Sequence, residues 1–262
     1  MRIAILLALC FCVEPILCSE PPHTAAVRFF KKKKKKKIKK EVQQPLFPVQ
    51  RETPLYLTTS VIIPCNQKQF GGLKAVLRSY EKQTIPPNEV IVALAQFESL
   101  PVLEVLAVER LPLPFPVTVI KLGGKKTTGW LLNCAANQAT GDILLCQESN
   151  VLAHPQRVEV VKALFENYYV DCLLHEGIAE EMTTYEDLTA LSLQRHGSYK
   201  AVKERGIAVN AGNICIAKQV AINAKWNEED NVDQDAQFSE KVYQQFKNNL
   251  TVQAKLLLSK GL

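Results

Sequence analysis

From Thr59 to Leu258 the apolar residues keep two alternating rhythms. Ser60-Val61-Ile62-Ile63-Pro64 is a short β-branched run stopped by proline, the composition of a strand buried in a parallel sheet. Gly71 to Gln83 then spaces Leu73, Val76, Leu77 and Tyr80 three and four residues apart, which predicts a helix with one buried stripe. Glu89 to Leu94 is a second strand. The alternation continues with a helix over Pro101–Arg110, a strand over Pro116–Leu122 and a helix over Thr128–Ala139. Gly141-Asp142 leads into a fourth strand, Ile143–Cys146. His154-Pro155 is expected to open the next helix, because proline at the first helical position wastes no hydrogen bond. A strand at Asp171–His175, a helix at Asp233–Phe246 and a strand at Val252–Leu258 close the series. Such alternation predicts an α/β fold, a doubly wound, mostly parallel sheet with helices on both faces, whose ligand site lies at the carboxyl ends of the strands.

Upstream of Leu55 the rhythm is lost. Arg2 precedes an apolar run from Ile3 to Val13, shorter than the about twenty residues a helix needs to span a bilayer. Glu14 and Pro15 interrupt it, and Ile16-Leu17-Cys18 before Ser19 resembles a cleavage region. Residues 1–18 therefore read as a secretory signal peptide, the alternatives being an uncleaved anchor or a misplaced start. The mature protein is then expected in the ER or Golgi lumen, or secreted. Lys31 to Lys40 hold nine lysines in ten residues. A block of that kind repels itself and buries nothing, so residues 19–54 are expected to form a disordered Lys/Pro-rich linker. It would suit weak contact with a polyanion or an anionic membrane surface, or serve as a plain linker. The folded domain is placed at 55–262.

Charge alters this picture in one respect. The 262-residue chain carries a formal +6, yet residues 1–50 hold eleven Lys/Arg against three acids, leaving −2 for the other 212 residues. The folded part is not a basic nucleic-acid binder, and no nucleic-acid partner is expected. Of eight cysteines, Cys10, Cys12 and Cys18 leave with the signal peptide. The odd remainder (Cys65, Cys134, Cys146, Cys172 and Cys215), with no CxxC, reads as buried free thiols, a single disulfide being the alternative. No zinc site is suggested. Asn249-Leu250-Thr251 is a sequon for N-glycosylation.

Several segments, taken in order, carry a resemblance. Ser60-Val-Ile-Ile-Pro-Cys-Asn66 and Leu77-Arg-Ser-Tyr-Glu-Lys-Gln-Thr-Ile-Pro-Pro-Asn-Glu-Val-Ile-Val92 resemble the opening of a family 2 glycosyltransferase of the GT-A fold. Asn133-Cys-Ala-Ala-Asn-Gln-Ala-Thr-Gly-Asp142 resembles the helix and turn that lead into that family's metal strand. His154-Pro-Gln-Arg157 resembles the segment that follows the metal motif in one subgroup. Gly212-Asn-Ile-Cys-Ile216 and Trp226-Asn-Glu-Glu229 through Asp235 resemble its acceptor-side strand and catalytic acidic loop. The match covers about Thr59 to Leu258.

The resemblance implies transfer of a sugar from a nucleotide-diphosphate donor to a glycan, lipid or protein acceptor. Two chemical demands follow: a cation for the departing diphosphate and a base for the acceptor hydroxyl. The family meets the first with Asp-x-Asp at a strand end, where residues i and i+2 share a face and offer hard oxygens to Mg²⁺ or Mn²⁺. Counting from Gly141 and back from His154 both place that motif at Glu148-Ser149-Asn150. Glu148 and Asn150 are the expected metal ligands, holding a divalent cation weakly because one carboxylate is replaced by an amide. A polar strand-end loop without metal is the alternative. Asp235 falls where the family places its general base, with Asp233 as its neighbour. The competing reading is that five acids between Glu228 and Asp235 favour a helix N-terminus. The donor itself is expected against Pro64, Asn66, Gln96 and Asn133.

Other positions depart from the family. Leu94-Ala95-Gln96 stands where an Asp usually holds the nucleotide base, and Leu132 replaces the usual Arg. His154 is expected to cap a helix rather than bind metal. Trp226 is expected either to stack on a sugar ring or to be structural. Two functions therefore remain: an active glycosyltransferase, or a catalytically degenerate relative that binds a sugar, nucleotide sugar or partner without turnover. A lysine-tail polyanion binder is a third.

Overall fold

The first half of the chain builds β1 (Thr59–Cys65), α1 (Phe70–Glu81), β2 (Glu89–Ala95), α2 (Val102–Glu109), β3 (Val117–Leu122), α3 (Thr128–Gln138), β4 (Ile143–Cys146), β5 (Leu152–Ala153) and α4 (Arg157–Asn167). The second half adds β6 (Cys172–Ala179), β7 (Leu193–Arg195), α5 (Tyr199–Glu204), β8 (Ile214–Ala217), α6 (Lys218–Ala224), α7 (Gln234–Gln245) and β9 (Asn249–Leu258). These come from a computed structural model that describes residues 47–180, 184–207, 209–229 and 233–258, all within one unit, Gln43–Leu262. The signal peptide, the Lys31–Lys40 block and Asp230 lie outside the described residues.

Among the described residues one sheet runs in the order β3-β2-β1-β4-β8-β6-β9-β5, with β7 paired to β9. β3, β2, β1 and β4 are parallel. β8 runs antiparallel between β4 and β6, β9 is again parallel to β6, and the short β5 and β7 run antiparallel to β9. Six strands thus share one direction, as the apolar runs predict.

β1 and β4 are buried along their whole length, in keeping with the β-branched and aliphatic residues at their centres, as expected of a sheet covered on both faces. Their side chains alternate. Val61, Ile63, Val90 and Val92 face one layer with Leu73, Leu77 and Tyr80 of α1 and Val158, Val161 and Leu164 of α4. Ile62, Ile91, Ala93 and Leu144 face the other, with Leu131, Leu132 and Ala135 of α3 and Phe238 and Val242 of α7. Each fully buried Val, Ile or Leu stabilises the fold by about 1.5–3 kcal/mol, so these two layers fix the sheet. Leu132 is spent on that packing. The chain moves outward from β1 to β3 and then returns to the opposite side of β1 as β4. That reversal opens a crevice at the carboxyl ends of β1 and β4.

Four expectations need correction. The linker does not extend to residue 54: Gln50 bridges Tyr168, Arg51 donates to Asn167 O, and Leu55 donates to Glu166 O at 3.1 Å, so this stretch is tied to the end of α4. Pro155 sits in the turn before α4 rather than at its first position. Asn249 is buried, with its amide donating to Phe246 O, so the folded chain offers no glycan acceptor there. β5, β7, α5 and α6 went unpredicted, and each has seven residues or fewer. Cys65, Cys134, Cys146, Cys172 and Cys215 are free thiols, four of them buried. No described helix is long and apolar enough to cross a membrane.

The amino-terminal edge of the sheet is closed by polar contacts. Gly141 N donates to Ser60 Oγ at 2.8 Å, and Asp142 accepts from the Thr58 amide and hydroxyl. A Cβ on Gly141 would lie 2.5 Å from Ser60 Oγ and 2.7 Å from Ser60 N. Gly141→Ala is therefore expected to destabilise the fold by about 1–3 kcal/mol through overpacking, read as a lowered urea midpoint; an unchanged midpoint would contradict this packing.

Candidate active site

The crevice between β1 and β4 holds a polar cavity of about 170 Å³. Its walls are Pro64 from β1, Gln69 ahead of α1, Thr128 at the start of α3, Glu148 and Ser149 beyond β4, Ala211, and Gln234 and Asp235 from the first turn of α7. Glu148 and Asp235, far apart in sequence, thus meet in one cavity. The Ala211 N–H donates to Asp235 Oδ2 at 2.9 Å, while Oδ1 is buried and has no hydrogen-bond partner. Burial pushes the Asp235 carboxyl up to about 6, with the charge of Glu148 adding to the rise and the Ala211 amide opposing it. Burial also raises Glu148, against the Gly212 amide and the positive charge of Arg157. Two consecutive backbone amides therefore serve the two carboxylates.

The acidic loop reaches this cavity because α3 holds it. Asn133 donates Nδ2 to Trp226 O at 3.0 Å and to Glu228 Oε1 at 2.9 Å, and its Oδ1 accepts from Trp226 N at 2.9 Å. Thr127 caps α3 through Oγ1 and donates the same hydroxyl to Glu228 O. Gln234 Oε1 accepts from Gly129 N at 3.0 Å. Gly129 is required by close approach: a Cβ there would stand 2.0 Å from Asn227 O.

The expected site residues divide accordingly. Pro64, Glu148 and Asp235 line the cavity, and Asn66, Gln96, Asn133 and Asn150 do not. Asn66 Oδ1 accepts from the amides of Lys68 and Gln69, forming the turn into α1. Gln96 follows β2 with a left-handed φ of 55° and donates its amide to Gly124 O. The Asn133 side chain is fully committed to the loop, so it scaffolds the site instead of facing a donor. The i, i+2 argument fails for Asn150, because β4 ends at Cys146 and Glu148 to Val151 form a turn, closed by Val151 N to Glu148 O. Asn150 is exposed, and Ser149 takes the place beside Glu148 in the cavity wall. Asp233 is exposed and outside the cavity wall. Trp226 is buried and stacks on Phe238 with centroids 3.8 Å apart, which leaves no face for a sugar. His154 is buried against Tyr185, and its Nδ1 accepts from Gln156 N in the turn before α4.

Comparisons with known proteins bear on this geometry. A model of Glycosyl transferase family 2 matches residues 60–224, well over half of the chain. The chain belongs to glycosyl transferase family 2. Solved structures share its fold: S. aureus TarS 1–349 at TM-score 0.59 and 16% identity, over 77% of this chain and 60% of that one. TarS 1–349 in complex with UDP-GlcNAc aligns at TM-score 0.58 and 16% identity, over 77% and 58%. The mannosyltransferase PcManGT from Pyrobaculum calidifontis, in complex with GDP-Man and Mn²⁺, aligns at TM-score 0.58 and 14% identity, over 83% and 60%. The chain spans about three fifths of each of these solved chains, and 36% of a longer TarS chain. No curated protein matches it.

Family 2 membership raises the question of a divalent cation. The Glu148 carboxylate and the unpartnered Asp235 Oδ1 are hard oxygen donors in one cavity. One or two carboxylates with substrate phosphates form a usual Mg²⁺ shell, so the residues present fit the ion, with Asn150 outside the set. Sequence reasoning missed Gln69, Thr128, Ser149, Ala211 and Gln234. Gln69, Thr128 and Gln234 stand at helix starts, and Gln69 and Thr128 follow parallel strands, a position the switch-point rule marks as ligand-facing. Gly129→Ala is expected to lift the acidic loop off α3: amide exchange at Trp226 should speed up markedly while the sheet amides keep their protection. Unchanged Trp226 exchange would contradict the clamp.

Proposed function

We propose that the protein transfers a sugar from a nucleotide-diphosphate donor, with Asp235 as the general base. The observation that carries this reading is a buried carboxylate oxygen without a partner, Asp235 Oδ1, lining the same cavity as Glu148. An unsatisfied buried acceptor is costly to a fold, and an incoming acceptor hydroxyl would satisfy it. Ionised Asp235 would take the hydroxyl proton as the new glycosidic bond forms. Glu148 would hold Mn²⁺ or Mg²⁺ together with the donor phosphates, and the ion would supply positive charge against that growing on the diphosphate. The polar wall of Gln69, Thr128 and Gln234 would orient the donor. The exposure of Asn150 favours a second reading, a donor-binding relative without turnover. From Arg2 and the Ile3–Val13 run, we further propose that the protein resides in the secretory lumen or outside the cell, and that the charge of the Lys31–Lys40 block draws it to anionic surfaces.

Calorimetry with UDP- and GDP-sugars, with and without Mn²⁺, tests the reading together with donor hydrolysis. Metal-enhanced binding should vanish in Glu148→Ala, and Asp235→Asn should lower the hydrolysis rate about 10²–10⁴-fold. Binding that ignores Mn²⁺ and Glu148, with no hydrolysis, would establish the non-catalytic reading. The pH profile has a defined sign. Asp235 titrates near 6 in the folded protein and near 3.9 unfolded. Activity should therefore rise as pH climbs through about 6. The stability contributed by neutral Asp235 should be full below about 4 and lost as pH rises through about 6. An acid limb well below that value would contradict the assignment.

A further inference from the structure

Arg157 is the first residue of α4 and is wholly buried. Its Nη1 donates to Tyr80 Oη at 2.6 Å and to Gln147 Oε1, and its Nη2 donates to Cys146 O and Gly212 O, each at 2.7 Å. Among the described residues no carboxylate stands at ion-pair distance from it. A buried charge normally takes such a partner. Here all four acceptors are neutral, and His175, pushed down to about 3 by burial and then by the Arg157 charge, is neutral as well.

The placement of those acceptors is informative. Cys146 O and Gln147 form the exit of β4, directly before Glu148. Gln147 is itself fixed: its Oε1 accepts from Tyr80 Oη at 2.8 Å, and its Nε2 donates to Glu148 O at 2.8 Å and Val151 O at 2.6 Å. Gly212 belongs to the turn Ala211–Asn213, whose Ala211 amide binds Asp235 Oδ2 and whose Gly212 amide supports Glu148. One planar guanidinium therefore joins the segment that carries Glu148 to the turn that holds both carboxylates.

We propose that Arg157 is a positioning residue of the donor site, a buried brace that sets the distance between Glu148 and Asp235. It touches neither donor nor acceptor. Its rigid fork spans two chain segments at once, which the single ammonium of a lysine cannot do. The proposal rests on the nucleotide-sugar reading and names a residue outside the cavity wall as the determinant of the geometry within it.

The test uses Mn²⁺ alone, followed by electron paramagnetic resonance, and UDP-GlcNAc or GDP-Man with and without Mn²⁺, followed by calorimetry. Both are run on the full chain and on Arg157→Lys at equal folded fraction. Loss of a supporting contact behind a metal ligand typically weakens metal binding by roughly 10–100-fold. Arg157→Lys should show that loss for Mn²⁺, and donor affinity without Mn²⁺ should be unchanged. Tyr80→Phe, which removes one acceptor and disturbs the core less, should shift Mn²⁺ affinity in the same direction by a smaller factor, and it serves where Arg157→Lys does not fold. Wild-type Mn²⁺ affinity in the folded variants would overturn the brace and leave the glycosyltransferase reading standing. Absence of both Mn²⁺ and donor binding in the wild type would overturn that reading, and the brace with it.

Discussion

The site depends on two like-charged carboxyl groups being held in one small, partly buried cavity. Glu148 and Asp235 would each be better solvated apart, and burial raises both pKa values. What holds them is the turn Ala211–Asn213, whose successive amides face Asp235 and Glu148. Amides fixed in this way act as a local anion-binding concavity. The turn in turn is anchored through Gly212 O by the buried Arg157 guanidinium. The positive charge of Arg157 also lowers the cost of the negative charge on Glu148.

The sheet makes this arrangement reachable. Reversal of strand order between β1 and β4 opens the crevice, and α3 presents Gly129 and Asn133 to the loop that carries the chain toward α7. Core packing, close backbone approach and the buried side-chain network thus act at successive levels on the same two carboxylates. Gly141 fixes β4 at its start, and Arg157 fixes it at its exit.

Most of the architecture was legible in the sequence because fully buried parallel strands leave continuous apolar runs and their covering helices leave a 3.6-residue stripe. Short antiparallel pieces such as Leu193–Arg195 leave neither signal. Within the site, Glu148 could be placed by counting from Gly141 and His154, and Asp235 by the resemblance of the acidic loop to the family's catalytic loop; the structure puts both on the cavity wall. Asn150 could not, because the counting assumed that the strand runs on past Cys146. Asn66 and Asn133 show a second limit. An amide that binds a ligand and an amide that ties a turn or loop look the same in sequence, and here both tie backbone. Arg157 stood in view within His154-Pro-Gln-Arg157, but an arginine in the first turn of a helix ordinarily reads as surface. Its burial follows from contacts with Tyr80 and Gly212, which no local pattern reveals.

The central claim is that Glu148 and Asp235 work on one donor from a single cavity. A crystal structure of the full chain with Mn²⁺ and UDP-GlcNAc or GDP-Man would test it most directly, the metal being located by its anomalous signal. The account predicts the ion bonded to Glu148 and to the donor diphosphate, with the anomeric carbon facing Asp235 and Asn150 still in solvent. An ion held by Asn150 without Glu148, or a donor bound away from Asp235, would contradict it.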